Sequence, residues 1–307
     1  GRHRGSGAPS SRRGDSGATP PGQRVRPRTR RRYGAPAPAA VRAPPTGGGV
    51  GVTVANDTLP NGTTILSLVQ GIRAAGGDVI ISFGGASGTE LALGCTTVSS
   101  LQAAYQAVLN KYSVNSSTPV RLDFDIEGGA TTDQASINRR NQALVGLKNA
   151  NPGLVISYTL PVLPTGLVAS GVNILNSVKA AGLNLNVVNV MAMDYGSAND
   201  NGGQMGLSAQ QAASNTHNQV VAAGLTASIG VTPMIGINDV NTEIFQLADA
   251  TGLLNFANAN SYITRLSMWS VARDNGGCAG QGFASPTCSG ISQSNWAFSN
   301  IFKPFGP

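Results

Sequence analysis

The feature that most restricts the fold of this chain is a regular alternation of short apolar segments with amphipathic ones. Six apolar runs have the length and composition of buried β-strands. They cover residues 78–83, 121–126, 154–160, 187–193, 228–236 and 265–271. Successive runs begin about 33 to 43 residues apart, a spacing typical of right-handed βαβ units in a parallel sheet.

Five segments between these runs have the pattern of amphipathic helices. One of them begins at a Thr/Asp pair that can cap a helix and ends in Asn-Pro-Gly, which stops one. The predicted helices span residues 63–77, 97–113, 131–153, 167–182 and 208–224. Six such units favour a (β/α)8 barrel over an open sheet, and no Gly-x-Gly-x-x-Gly follows the first strand to indicate a dinucleotide site.

The barrel predicted in this way is two strands short. A complete barrel needs two strands before residue 78, and only residues 49–55 have the composition of one. We therefore expect an α/β fold within residues 48–307, a (β/α)8 TIM barrel that is incomplete or distorted at its N-terminal strands.

Residues 1–47 differ in composition from the rest of the chain. They hold eleven of the 21 Lys and Arg residues and one of the 14 Asp and Glu residues, so their net charge is +10 and the remainder carries −3. With eight of the 17 prolines and one aromatic residue, this Arg/Pro-rich segment is expected to be disordered. Two alternatives stay open: a segment not native to the fold, or an arm for an anionic surface. Because no aromatic residues alternate with the arginines, we predict no nucleic-acid partner.

The cysteines bear on the cellular compartment. Cys278 and Cys288 flank a Gly/Ser-rich loop, and a disulfide there would stabilise the fold by about 2–3 kcal/mol. Such a bridge fits a secreted, extracellular protein, although no apolar segment typical of a signal peptide follows residues 12–13. Cys95 would remain single and buried. No apolar run approaches about 18 residues, so we expect no membrane span.

The second predicted strand carries three carboxylates at alternate positions. Its acidic residues are Asp123, Asp125 and Glu127, and its apolar residues are Leu122, Phe124 and Ile126. Because successive side chains point to opposite faces, the apolar row packs under helices and the acidic row points into the barrel. Buried carboxylates in a row repel one another, which raises their pKa values and lets neighbours share protons. Glu127, at the carboxyl end where barrel active sites lie, is suited to act as a general acid.

Two other interpretations of this row are a solvated strand face and a metal cluster. A solvated face does not fit a strand flanked on both sides by buried strands. Three acids could hold a metal, but the two histidines, His3 and His217, are far from the strands in sequence. We therefore predict catalysis, with neither metal nor cofactor.

Four motifs resemble those of glycoside hydrolase family 18, the chitinases. Residues 122–127, Leu-Asp-Phe-Asp-Ile-Glu, resemble the Asp-x-Asp-x-Glu end of the family signature, and residues 82–85 resemble its Ser-x-Gly-Gly. Residues 188–196 resemble the family's Met-x-Tyr-Asp strand, and residues 268–274 resemble its last-strand Trp motif. The resemblance implies a barrel that hydrolyses β-1,4-linked N-acetylglucosamine polymers with retention of configuration.

The resemblance also implies roles for the acidic row. Glu127 would protonate the glycosidic oxygen and later activate water, while the acetamido carbonyl of the substrate attacks the anomeric carbon. Asp125 would turn towards Glu127 and the acetamido N–H to stabilise the intermediate. Asp123 would lie beneath and share a proton with Asp125.

Residues from other strands are implied to surround the sugar. Gly84 and Gly85 would leave room for it, and Ser82 would bond near Asp123. Trp269 would form a hydrophobic floor under the sugar at the cleavage site, although a tryptophan taken alone is more often a core residue. Asn238 would contact sugar hydroxyls.

The motif at residues 188–196 departs from the family pattern. Met193 stands where the family has a Tyr that contacts the acetamido oxygen. By strand periodicity Met191, Met193 and Tyr195 share a face, so Tyr195 is expected to supply that hydroxyl, the alternative being a loop Tyr on the barrel rim. Asp194 matches the Asp of the motif and would bond the acetamido group or the sugar ring, the alternative being a helix cap.

The sequence thus predicts a secreted, monomeric endochitinase that acts on chitin or chito-oligosaccharides. Because the chain has two Trp in all, a long aromatic cleft for processive action is not expected. One alternative is an endo-β-N-acetylglucosaminidase that acts on N-glycans. Another, from a different class, is a catalytically impaired chitin-binding barrel.

Overall fold

The computed structural model of the protein describes residues 57–59, 61–87, 89–113 and 120–306. The Arg/Pro-rich segment at residues 1–47 and the candidate strand at residues 49–55 lie outside these residues. The predictions made for both segments therefore stay predictions.

Strands and helices alternate through the described part of the chain. The strands are β1 (Ile81–Gly84), β2 (Arg121–Asp125), β3 (Val155–Pro161), β4 (Val187–Ala192), β5 (Ser228–Pro233), β6 (Gly236–Ile237), β7 (Ile244–Phe245) and β8 (Ile263–Leu266). The helices are α1 (Ile65–Ala74), α2 (Leu91–Gly94), α3 (Val98–Tyr112), α4 (Gln134–Ala150), α5 (Ala169–Ala180), α6 (Met205–Ala222), α7 (Leu247–Ala259) and α8 (Ala297–Phe302). Two 3₁₀ helices span Gly128–Thr131 and Val271–Arg273. The five predicted helices are confirmed as α1, α3, α4, α5 and α6.

Six of the strands form one parallel sheet in the order β1-β2-β3-β4-β5-β8. The two remaining strands, β6 and β7, form a short antiparallel hairpin between β5 and α7. Each parallel pair is joined by a segment that contains a helix, which is the connection that parallel strands require. The predicted α/β architecture with a parallel sheet is confirmed.

The end of the sheet differs from the prediction in two respects. The last strand was expected at residues 265–271, but β8 ends at Leu266, and Trp269 pairs with Met234 in an isolated bridge. Helix α7 was not predicted, because Gly252 interrupts its middle and weakens the helical pattern. A capping box between Gln246 and Asp249 fixes its start.

The apolar row of β2 lies in the hydrophobic core, as predicted. The ring of Phe124 stacks on Phe83 with 5.1 Å between centroids. It meets Tyr105 of α3 edge-on at 5.0 Å and Tyr158 of β3 at 5.9 Å. These contacts anchor β2 from its helix-facing side and so fix the direction in which its acidic row points.

A side-chain cap sets the start of α3. The hydroxyl of Thr97 accepts a hydrogen bond from the Ser100 amide at 3.1 Å. We predict that Thr97→Ala lowers the free energy of unfolding by about 1 kcal/mol, because this amide then loses its partner. Urea denaturation measures the loss, and the neighbouring exposed Thr96→Ala is the matched control. Equal losses in the two variants would contradict the assigned cap.

The cysteine predictions are also met within the described residues. Cys278 and Cys288 form a disulfide, and Cys95 is free and buried. Among the described helices, none has the length and apolar character needed to cross a lipid bilayer.

Candidate active site

The sheet curves around the carboxylate of Asp123. Ser82 of β1 donates a hydrogen bond to Asp123 Oδ2 at 2.9 Å. From the opposite edge, Nη1 of Arg265 on β8 lies 3.7 Å from Asp123 Oδ1. Because β1 and β8 are the two edges of the described sheet, both can reach one side chain only if the sheet is bent into a barrel-like surface. The inward direction of Asp123, and the predicted bond from Ser82, are therefore confirmed.

A network of neutral polar groups completes the surroundings of Asp123. The hydroxyl of Thr159 lies 3.0 Å from both carboxylate oxygens, and the hydroxyl of Ser157 donates to Oδ1. The side-chain amide of Asn189 on β4 donates to Thr159 Oγ1 at 3.0 Å. Asp123 is thus buried but well supplied with hydrogen-bond donors.

Asp125, two residues further along β2, is in a different situation. Its Oδ1 is buried and has no hydrogen-bond partner. Burial raises the pKa of this carboxyl to about 8, and the neighbouring charges of Glu127 and Asp123 add to the effect. Asp125 therefore carries a proton at neutral pH, and its coupling to the other two acids is electrostatic.

Glu127 follows β2 and precedes the first 3₁₀ helix, at the carboxyl end of the sheet. Its side chain is half-buried, and this burial raises the pKa of its carboxyl. A Glu whose pKa is raised and whose carboxyl still reaches solvent is suited to act as a general acid. Glu127 thus lies at the carboxyl end of β2, and its role as the general acid stays a prediction.

Close approach of two strands explains one of the predicted glycines. Gly84 has a φ of +97°, and a Cβ placed there would lie 2.1 Å from the backbone oxygen of Asp125. The space beside Gly84 is therefore filled by β2 itself, which corrects the prediction that this glycine leaves room for a sugar. At Gly85 a Cβ would meet Asp125 Oδ2 at 3.8 Å, an ordinary contact, so this glycine does border the acidic row.

The residues after β4 do not continue the alternation expected of a strand. Met191 is the last inward-facing residue of β4, in register with Thr232. The strand ends at Ala192, the amide of Met193 bonds back to the Met191 oxygen, and Asp194 has a φ of +52°. The shared face predicted for Met191, Met193 and Tyr195 is therefore wrong, because the chain turns between them.

Tyr195 nevertheless presents an unused polar group. Its side chain is buried, and its hydroxyl has no hydrogen-bond partner in the described structure. Burial, together with the charge of Glu243, raises the pKa of this hydroxyl, so it remains a donor. A buried donor without a partner is a candidate contact for a bound polar ligand.

Glu243 is a residue of this region that sequence analysis missed. It follows the turn of the β6–β7 hairpin, is fully buried, and accepts hydrogen bonds from the backbone amides of Tyr195 at 3.0 Å and Gly196 at 2.6 Å. The carboxylate thereby fixes the turn that carries Tyr195. No local pattern indicates this role, since the contact joins residues 48 positions apart.

We predict that Glu243→Gln lowers both stability and turnover. A glutamine has one acceptor oxygen, so its NH2 group would face one of the two amide donors, at a cost of about 1–3 kcal/mol. Asp239→Asn, which removes an exposed carboxylate from the same hairpin, is the control. Unfolding midpoints and turnover rates of the two variants should differ; equal behaviour would contradict the role of Glu243.

Asp194 and Asn238 hold the same loops together. Asp194 Oδ1 accepts a hydrogen bond from the Val240 amide at 2.9 Å. Asn238 is fully buried, and its amide nitrogen donates to the backbone oxygens of Met234 at 2.9 Å and Gly236 at 3.1 Å. The amide nitrogen of Asn238 is therefore already engaged and does not offer the predicted contact with sugar hydroxyls. Asn238 instead shapes the loop.

Trp269 lies just beyond the carboxyl ends of β5 and β8. Its amide donates to the Pro233 oxygen at 2.8 Å, and its own oxygen accepts from the Ile235 amide at 3.0 Å. The side chain is 56% exposed although its backbone is firmly held. An exposed, anchored indole at this end of the sheet fits the predicted sugar platform better than a core residue.

A cleft of about 500 Å³ lies apart from the acidic row. It is bounded by the loop after β3, the loop after β4 and helix α6, and none of the predicted site residues lines it. The acidic row is the stronger candidate site, because it brings together two carboxyls with raised pKa values, and one of them, Asp125, has a buried oxygen without a partner. No group of three or more His, Cys, Asp or Glu residues in the described ranges is arranged to hold a metal ion.

Comparison with known proteins agrees with this geometry, although no family model matches the chain. The chain is 39% identical over 259 residues to the probable bifunctional chitinase/lysozyme of Escherichia coli (strain K12), covering 78% of this chain and 28% of that protein. It is 39% identical over 225 residues to endochitinase 11 of Metarhizium anisopliae, covering 68% and 42%. It thus spans well under half the length of both curated relatives.

A solved structure matches more completely. It contains catalytic site mutants of active domain 2 of the thermostable chitinase from Pyrococcus furiosus, complexed with chito-oligosaccharides. The identity is 32%, the TM-score is 0.66, and the match covers 79% of this chain and 78% of that one. The curved parallel sheet and the acidic row together define the class of protein, which is a glycoside hydrolase of the TIM-barrel type. Within that class, the chain belongs to glycoside hydrolase family 18, the chitinases.

Proposed function

We propose that this protein hydrolyses β-1,4 linkages between N-acetylglucosamine units of chitin and chito-oligosaccharides, with retention of configuration. The observation that carries the proposal is the pair of acids with raised pKa values at the carboxyl end of β2, Asp125 and Glu127. A carboxyl with a raised pKa is suited to give a proton to a glycosidic oxygen.

In the proposed reaction Glu127 transfers its proton to the glycosidic oxygen as the C1–O bond breaks. The carbonyl oxygen of the substrate's own acetamido group forms a bond to C1, which gives a cyclic oxazolinium ion. Glu127, now a carboxylate, removes a proton from water while the water oxygen attacks C1 and the bond from C1 to the acetamido oxygen breaks, which restores the acetamido group. Two successive inversions at C1 give net retention.

Asp125 has a supporting role in this scheme. Its proton keeps it neutral in the resting protein, so Glu127 can become negative without facing a second full charge beside it. The oxygen of neutral Asp125 that carries no proton can accept the acetamido N–H and so support the ring as it becomes positive. The unpaired Oδ1 is free to make that contact.

The substrate class is supported by two observations. The Pyrococcus structure with which this chain shares its fold contains chito-oligosaccharides. The exposed Trp269 provides an apolar face on which a pyranose ring can lie. We further propose a secreted protein, in keeping with the disulfide between Cys278 and Cys288.

The test is incubation of the chain with chitopentaose, with product anomers followed by proton NMR. Early accumulation of the β-anomer is expected, and early α-anomer would contradict retention. A parallel incubation with a high-mannose glycopeptide separates the two enzymatic hypotheses, since cleavage there alone would indicate an endo-β-N-acetylglucosaminidase. Binding of chitopentaose without turnover would indicate a catalytically impaired barrel.

A further inference from the structure

A cation lies inside the curved sheet beneath the acidic row. Arg265 of β8 donates from Nη1 to Ser157 Oγ at 3.0 Å, and the same nitrogen lies 3.7 Å from Asp123 Oδ1. The hydroxyl of Ser157 in turn donates to Asp123 Oδ1. The guanidinium therefore acts on Asp123 both directly and through a bridging hydroxyl.

The directions of these hydrogen bonds favour the ionised form of Asp123. Ser157 Oγ accepts from Arg265, so its own proton is free to point at Asp123. Thr159 Oγ1 accepts from Asn189, so its proton also points at Asp123. A carboxyl that receives these donors and a cation is stabilised as the anion, since a protonated oxygen would have to give up an acceptor site.

The anion at Asp123 has a consequence two residues along the strand. The negative charges of Asp123 and Glu127, after burial itself, raise the pKa of Asp125 to about 8. With Asp123 held as a carboxylate, the proton shared within the row resides on Asp125, beside Glu127. A proton on Asp123 would lie one layer of side chains, about 6.7 Å, further from the barrel mouth than a proton on Asp125.

We propose that Arg265 is a positioning residue for the reaction, which holds Asp123 as a carboxylate and thereby keeps the mobile proton of the acidic row on Asp125. The effect of Arg265 on turnover rests on the proposed function, since it requires that the acidic row catalyses hydrolysis. Arg265 itself lies a layer below the substrate and acts through Asp123.

Few other charges bear on this arrangement. Within the described residues, the partners of Asp123 from β1 and β3, and Asn189 from β4, are neutral side chains. Besides Asp123, the charged groups of β2 are Arg121 and Asp125, and Glu127 follows the strand. Arg121 forms an ion pair with Asp78 at 3.6 Å. Burial and the repulsion of Arg121 lower the pKa of Arg265, while Asp123 raises it.

Two substitutions test the charge of Arg265. Arg265→Gln removes the charge and, because its side chain is two bonds shorter, also gives up the hydrogen bond to Ser157, whereas Arg265→Lys keeps the charge. Arg139→Gln removes a partly buried arginine of α4 that binds a backbone oxygen, and it is the matched control.

Loss of the cation makes the interior more negative, so the row holds its proton more tightly and releases it at higher pH. In Arg265→Gln the alkaline limb of the kcat/KM–pH profile should move up by about one pH unit. We expect kcat at pH 6 to fall about tenfold, with KM within about twofold of the native value. Arg265→Lys and Arg139→Gln should retain the native profile.

A direct measurement does not depend on turnover. A pH titration of ¹³C-labelled aspartate carboxyls by NMR should assign the proton lost near pH 8 in the native protein to Asp125. In Arg265→Gln part of that proton should move to Asp123. A native titration that assigns the proton to Asp123, or identical titrations in the native protein and Arg265→Gln, would overturn the proposal.

The NMR titration tests the role of Arg265 separately from the proposed hydrolysis of chito-oligosaccharides. If the chain cleaves no chito-oligosaccharide, the proposed function fails, but the NMR titration still decides the role of Arg265. If Arg265→Gln does not fold, the assignment in the native protein decides it.

Discussion

Replacing Glu127 with glutamine is expected to lower the turnover of chito-oligosaccharides by about 10²–10⁴-fold while leaving their binding unchanged. The amide has nearly the shape of the carboxyl but has no acidic proton to give to the glycosidic oxygen. Burial raises the pKa of Glu127 in the native protein, which favours the acid form that can donate a proton. Glutamine has no such proton. Single-turnover rates and calorimetric binding of chitopentaose measure the two quantities separately.

The matched control is Asp133→Asn. Asp133 lies six residues beyond Glu127 and caps α4, and asparagine caps a helix equally well. Turnover by this variant should stay near that of the native protein. Loss of binding with unchanged turnover in Glu127→Gln would refute the assignment of the general acid.

Replacing Asp125 with asparagine is expected to lower turnover by about 10²-fold, less than the loss at Glu127, and to shift the pH optimum. In the native protein Asp125 releases its proton near a pKa of about 8, and its negative charge then acts on the neighbouring Glu127. With asparagine at this position, Glu127 titrates alone and without an anionic neighbour. The alkaline limb should therefore move to lower pH.

The same substitution should change the dependence of stability on pH. The pKa of Asp125 is raised from 3.8 to about 8 by folding, so this carboxyl favours the unfolded state increasingly as the pH rises between those values. Asparagine does not titrate. The melting temperature of Asp125→Asn, relative to the native protein, should thus be higher at pH 9 than at pH 4, and a constant difference would contradict the buried state of Asp125.

Much of the fold follows from local patterns in the sequence. Period-two alternation in β2 predicts that Asp123 and Phe124 face opposite sides, and the structure places them so. Apolar periodicity predicts α3, and a Thr/Asp cap with a closing Asn-Pro-Gly predicts α4, each within a few residues. The disulfide is predicted because Cys278 and Cys288 are ten residues apart around a flexible loop.

Other parts of the site depend on where the chain leaves regular structure. The alternation that was extended from Met191 to Tyr195 fails because the strand ends at Ala192. Whether a strand continues is decided by its hydrogen bonds with a neighbour, which no local pattern records. For the same reason β8 is shorter than predicted and Trp269 lies beyond it.

The sequence by itself thus determined the barrel class, the acidic row and the identity of its uppermost acid, because strand and helix periodicities are properties of neighbouring residues. Only the tertiary structure decided which groups surround that row. Glu243 reaches Tyr195 across 48 positions, and Arg265 reaches Ser157 across 108. Such contacts arise when the sheet curves and its loops pack against one another, and they join residues far apart in the sequence, which local periodicity does not record.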